Sequence, residues 1–207
     1  DLHIVSRRQR QMCIGDRHNN ASLFWGGNEY LFFENKDIRA TNLGIRYIDL
    51  RELYHSYLYT NIERSRLKYT FNPDINGGYK VTILDREDPR IEADYTYVHF
   101  SLNTREFFDT AVYVYGGFNN FSTTKENQMV FNQKKGIYEA TLLMKQGFYN
   151  YKYVVVDKEN TLQEGAISGN FDETENNYKV LVYYRDLGAR YDKLIGLGEA
   201  NSVQMTN

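Results

Sequence analysis

Between residues 95 and 184, apolar and polar side chains alternate in short runs broken by turn residues, and this rhythm limits the possible folds more than any other feature. The runs are 95–102, 110–115, 128–132, 137–143, 148–157 and 178–184. In 137–143, Tyr138, Ala140 and Leu142 alternate with Ile137, Glu139, Thr141 and Leu143. A period of two sends successive side chains to opposite faces of a strand, so one face can cover a core while the more polar one meets water. Turn residues separate the runs: Gly116 with Gly117, Asn119 with Asn120, and Gln146 with Gly147. Composition agrees, with 19 Tyr and 12 Phe against only 2 Pro, a bias toward residues that suit pleated surfaces. Six or seven strands in about 90 residues predict a β-sandwich.

Residues 1–90 carry rougher strand signals at 2–6, 22–25, 29–33, 45–50, 56–59 and 79–84. Only 49–55 offers a short helical turn. The densest charge cluster, 85–90, also holds Pro89, which makes it the best linker candidate. The expected organisation is therefore all-β with two immunoglobulin-like β-sandwich domains. These are a partial sandwich at 1–85, a linker at 86–94, and a second sandwich at 95–207 with a C-terminal extension. The chain begins at Asp1 without a charged and apolar leader, so a signal peptide has been removed or never existed.

Chemistry is sparsely marked. A formal net charge of −2 over 207 residues argues against a strongly basic nucleic-acid binder. The single cysteine, Cys13, excludes an internal disulfide and any multi-cysteine metal site, and nothing around it marks a reactive thiol. His3, His18, His55 and His99 show no metal-ligand spacing, and His99 reads as a half-buried strand histidine. There is no nucleophile elbow and no phosphate loop, and the acids Asp172, Glu173 and Glu175 read as a solvated loop. No catalytic residue, metal ligand or cofactor is assigned.

Two resemblances add to this reading. The strings VYVYGGFNNF (112–121), GIYEAT (136–141) and GFYNYKYVVVD (147–157) resemble early-set immunoglobulin-like domains, which include glycogen-binding modules. That resemblance implies a sugar-stacking platform, for which Phe118, Asn119 and Phe121 are the candidates, although Phe121 stands where the pattern has tryptophan. A longer one covers about 170 residues: GNE (27–29), IRYIDLR (45–51), DINGGY (74–79), REDPRIEADYTYVHFSL (86–102), YEATLLMKQG (138–147) and GARYDKLIG (188–196). Together these resemble the plug proteins of the Bacteroidetes type IX secretion system. The resemblance implies a non-enzymatic periplasmic protein that docks on an outer-membrane β-barrel translocon and closes it, without cofactor, nucleic acid or membrane insertion. It also implies a further N-terminal region, so that the strand at 2–6 would leave an unpaired edge. Carbohydrate binding is the alternative function.

The candidate partner-binding residues are Arg190, Tyr191 and Asp192. They follow the last strand run, so they are not needed to complete a sandwich. Arginine and tyrosine are also the types that carry interface energy. Exposure of Leu194 and Ile195 separates docking from packing, because a sealing segment would bury both.

Overall fold

The computed structural model describes residues 2–4, 25–84 and 88–202. Cys13, His18, most of the strand expected at 22–25 and the start of the expected linker lie outside these residues. The chain divides into two units. One joins Asp1–Asn28 to Asn170–Asn207, and the other is Glu29–Gly169.

In the first unit a three-stranded antiparallel sheet is formed by β1 (Leu2–Ile4), β13 (Asn177–Tyr184) and β14 (Lys193–Asn201), in the order β1-β13-β14. Asn176 ties this unit's two chain segments together, its side-chain amide donating to the carbonyls of Gly26 and Thr174.

The larger unit holds β2 (Leu31–Glu34), β3 (Ile45–Leu50), β4 (Tyr54–Leu58), β5 (Asn61–Ile62), β6 (Tyr79–Val81), β7 (Tyr95–Asn103), β8 (Ala111–Tyr115), β9 (Gln128–Asn132), β10 (Ile137–Lys145), β11 (Gly147–Val156) and β12 (Leu162–Gln163). Two four-residue helices, α1 (Pro89–Glu92) and α2 (Gly165–Ser168), complete it. All eleven strands belong to one mixed sheet whose main path runs β12-β11-β8-β9-β10-β7-β4-β3.

The protein is all-β, but the two immunoglobulin-like sandwiches expected from the strand rhythm do not form. Strands from residues 31–81 are woven into the same sheet as those from 95–163. β4 and β5 pair parallel to β7, while β2 and β6 flank the first half of β11. The physical reason lies in β11. It is ten residues long and buried at nearly every position, its aromatic and valine side chains needing cover on both faces and its backbone needing partners on both edges. Its first half takes β2 and β6 as neighbours, and its second half takes β8 and β12.

The core gathers where these strands meet. Phe33 stacks on Tyr149 at 5.1 Å and meets Phe100 edge-on at 5.8 Å, with Tyr151 also against it. Such aromatic pairs add about 0.5–1.5 kcal/mol each beyond their buried area. Two tyrosines of β11 carry their hydroxyls inward, and both donate to Asn61 Oδ1, at 2.9 Å from Tyr151 and 2.7 Å from Tyr153.

Two further local expectations are corrected. Residues 49–55 form the turn between β3 and β4 rather than a helical turn, because both flanking strands continue their pairing up to Leu50 and Tyr54. The segment 193–201, read as an extension beyond the last strand, is itself the strand β14.

Candidate functional site

β3, β4, β7 and β10 turn one face to the core and the other outward. The outward face carries an unusual row of rings. Parallel pairing sets His55 beside Tyr97 and Tyr57 beside His99, while antiparallel pairing sets Tyr47 beside Tyr57 and His99 beside Thr141. Neighbouring rings then stack across the strands: Tyr57 on His99 at 4.0 Å and 5°, His55 on His99 at 5.1 Å, His55 on Tyr97 at 5.0 Å, and Tyr47 against Tyr57 at 5.5 Å.

A β-bulge completes this face. Ile45 pairs with Leu58 and Tyr47 with Tyr57, leaving Arg46 as one extra residue on β3. Without it, strict alternation would send Ile45 and Ile48 to opposite faces. With it, both reach the core, and Arg46 and Tyr47 both line the outward side. A groove of about 750 Å³ lies there, lined among others by Arg46, Tyr57, Thr60, Ser101, Lys135 and Glu139.

Most charges around the groove are committed. Lys135 pairs with Glu139 at 2.7 Å and Arg51 with Asp49 at 2.8 Å, and Arg51 also reaches the Tyr57 hydroxyl. Lys135 and Asn132 hold the Glu139 carboxyl below the usual carboxylate range. Arg46 is exposed and makes no ion pair or hydrogen bond among the described residues.

The histidines form a connected pair. His55 Nδ1 lies 2.8 Å from His99 Nε2, and His99 Nδ1 lies 2.9 Å from the Thr141 hydroxyl. One proton bridges the two rings; a second would set two N–H groups facing each other. Burial, followed by the neighbouring charges of His55 and Arg51, pushes His99 down to about 4, against a smaller upward pull from Glu139. A histidine with a lowered native value binds protons more weakly than the unfolded chain does. Its contribution is therefore fully present above about pH 6.5 and is lost as pH falls toward 4. Because the ring is only half-buried, about 1–2 kcal/mol is the appropriate scale, or roughly 2–8 °C in melting temperature. Melting curves between pH 7 and 4 should show this fall in the wild type and a flatter profile in His99→Gln. Parallel profiles would contradict it.

The sequence candidates lie elsewhere. Arg190, Tyr191 and Asp192 sit in the turn between β13 and β14. Asp192 holds Arg185 in a two-pronged ion pair at 2.7 and 3.1 Å, and Lys193 pairs with Asp186, so charges clasp the turn from both strands. Tyr191 is 64% exposed, and Leu194 and Ile195 are 54% and 59% exposed. The segment does not seal a core.

Phe118, Asn119 and Phe121 do not assemble a platform. Phe118 packs edge-on against Tyr149, and Asn119 braces its own turn by accepting from Gly116 N–H and donating to the Val114 carbonyl. Phe121, 42% exposed, leans against Tyr115. The glycines of this motif serve close packing: Gly117 N–H donates to the Gly77 carbonyl at 2.6 Å, and a Cβ on Gly117 would meet that same oxygen at 2.9 Å. Among the described residues no cluster of three or more His, Cys, Asp or Glu could hold a metal, and no helix is long and apolar enough to cross a membrane.

No family model and no curated protein matches the chain. A solved structure, that of a hypothetical protein from Parabacteroides merdae ATCC 43184, is similar with a TM-score of 0.81 and 31% sequence identity. The match covers 97% of this chain and 54% of that one, so the chain spans about half the length of that relative.

Sequence reasoning missed the ring row and its groove. His55 and His99 are 44 residues apart, and nothing local announces the parallel pairing of β4 with β7 that joins them.

Proposed function

We propose that this chain is a non-enzymatic periplasmic plug that docks on the outer-membrane β-barrel translocon of the type IX secretion system and occludes it. The observation that carries the reading is the ordered set of six sequence motifs between residues 27 and 196 that resemble such plugs. A pore wide enough for folded cargo would leak, so it needs a stiff occluding body held reversibly. A single sheet of eleven strands around an aromatic core supplies stiffness, and its exposed turns supply docking surface. Steric closure calls for no cofactor.

The turn carrying Arg190 and Tyr191 is the proposed docking element of the first unit, with Asp192 bracing it through Arg185. The test is affinity capture from detergent-solubilised outer membranes, scored for the barrel translocon by mass spectrometry. The wild type should capture it. The Arg190→Ala, Tyr191→Ala double variant should lose about tenfold or more with its melting temperature unchanged, since both side chains are exposed. A second arm titrates glycogen, maltodextrin and β-glucan by calorimetry, with no binding tighter than millimolar expected. Absence of capture together with micromolar sugar binding abolished by Phe121→Ala would replace the plug with a carbohydrate-binding module.

A further inference from the structure

We propose that the groove on the outward face of β3, β4, β7 and β10 is a second docking site, and that its occupant is an extended acidic peptide segment of the partner. This deepens the plug reading and rests on it for the partner's identity.

Charge comes first. Lys135 and Arg51 are neutralised by Glu139 and Asp49, so among the described residues lining the groove Arg46 is the cation left to meet a ligand. The chain carries it there by a bulge in β3, which places a long basic side chain on the groove while keeping Ile45 and Ile48 in the core. An unpaired guanidinium in a groove also lined by Tyr47 and Tyr57 fits a carboxylate, to which it can donate two parallel hydrogen bonds.

Size and ring orientation then choose among anionic ligands. A space of about 750 Å³ is far larger than a free carboxylate or phosphate needs. The four strands it crosses span roughly 14 Å, enough for about four residues of extended peptide. A sugar would need an uncovered ring face to lie on. Here Tyr57 lies parallel on His99 at 4.0 Å with Tyr47 against it, and the imidazoles stack on one another in turn. The rings' faces are largely taken up by each other, which leaves ring edges and polar tips for the ligand. Ring edges and polar tips suit peptide amides and aliphatic side chains better than a pyranose face.

Two arms test this. In the first, a fluorescein-labelled peptide of about twelve residues alternating Glu and Val is titrated with the whole chain by anisotropy, beside a Lys–Val peptide and polygalacturonate. The Glu–Val peptide should bind about tenfold or more tighter than the Lys–Val peptide, and Arg46→Glu should remove that preference. Arg46 is exposed, and an unchanged melting temperature for the variant will show that the fold is intact. Equal affinity for the two peptides, no binding of either, insensitivity to Arg46→Glu, or preferential binding of polygalacturonate would each overturn the proposal.

The second arm repeats translocon capture with Arg46→Glu. Capture by the wild type with about a tenfold loss in the variant supports the groove. Undiminished capture by the variant overturns the groove as a docking site and leaves the plug standing. Failure of the wild type to capture overturns the plug reading, and the peptide arm then decides the groove alone.

Discussion

Phe33→Ala should lower stability by about 3–5 kcal/mol, a large share of the roughly 5–15 kcal/mol available to a domain of this kind. Phe33 is 0% exposed, stacks on Tyr149 and meets Phe100 and Tyr151, so truncation empties the place where β2, β7 and β11 converge. The surrounding rings belong to strands held by their own ladders and cannot collapse into the space. The melting temperature should therefore fall by roughly 6–20 °C. Phe108→Ala, at a ring that is 77% exposed, is the comparison and should change stability by less than about 0.5 kcal/mol. Equal effects from the two would contradict the placement of the core.

The second large effect is expected from Asn61→Leu. Tyr151 and Tyr153 both bury their rings and both give their hydroxyl protons to Asn61 Oδ1. Burial pushes both phenols well above their ordinary value, so they stay neutral donors at any working pH. Leucine of similar volume removes the acceptor both hydroxyls share, leaving Tyr151 only the neighbouring Tyr153 hydroxyl and Tyr153 a long contact to the Ser101 carbonyl at 3.5 Å. At about 1–3 kcal/mol for each donor that loses its acceptor, partly offset by the contacts that remain, the loss should be about 2–4 kcal/mol. Adding Tyr151→Phe to Asn61→Leu should return about 1 kcal/mol, whereas Tyr151→Phe alone should cost about that much. Urea unfolding of the four proteins measures this coupling. Additive losses would show that the shared acceptor carries none of it.

The strands from 95 to 184 were legible because a period of two is a local property: the runs at 128–132 and 137–143 coincide with or fall within β9 and β10. What was not legible depends on pairing between distant segments. An immunoglobulin-like sandwich and a single mixed sheet can share the same strand rhythm. Only the partners of β11 and the parallel pairing of β4 and β5 with β7 tell them apart.

β14 was missed for a different reason. Gly196 and Gly198 interrupt its alternation with residues that carry no side chain to pack, yet each sits opposite a β13 valine, with Val182 Cβ 3.5 Å and Val180 Cβ 3.9 Å from where a Cβ would be. The branched side chains of one strand fill the space left empty on the other. At the candidate site, the bulge that exposes Arg46 had a trace in the sequence. Ile45 and Ile48 are three apart, a spacing that alternation cannot place on one face without an extra residue.

The central claim is occlusion, and ion conductance through the purified translocon in a planar bilayer measures it directly. Adding the chain to the periplasmic side should reduce the current in a saturable way. The Arg190→Ala, Tyr191→Ala and Arg46→Glu variants should need about tenfold more protein for the same reduction. An open-pore current that the wild-type chain leaves unchanged at saturating concentration would contradict the account.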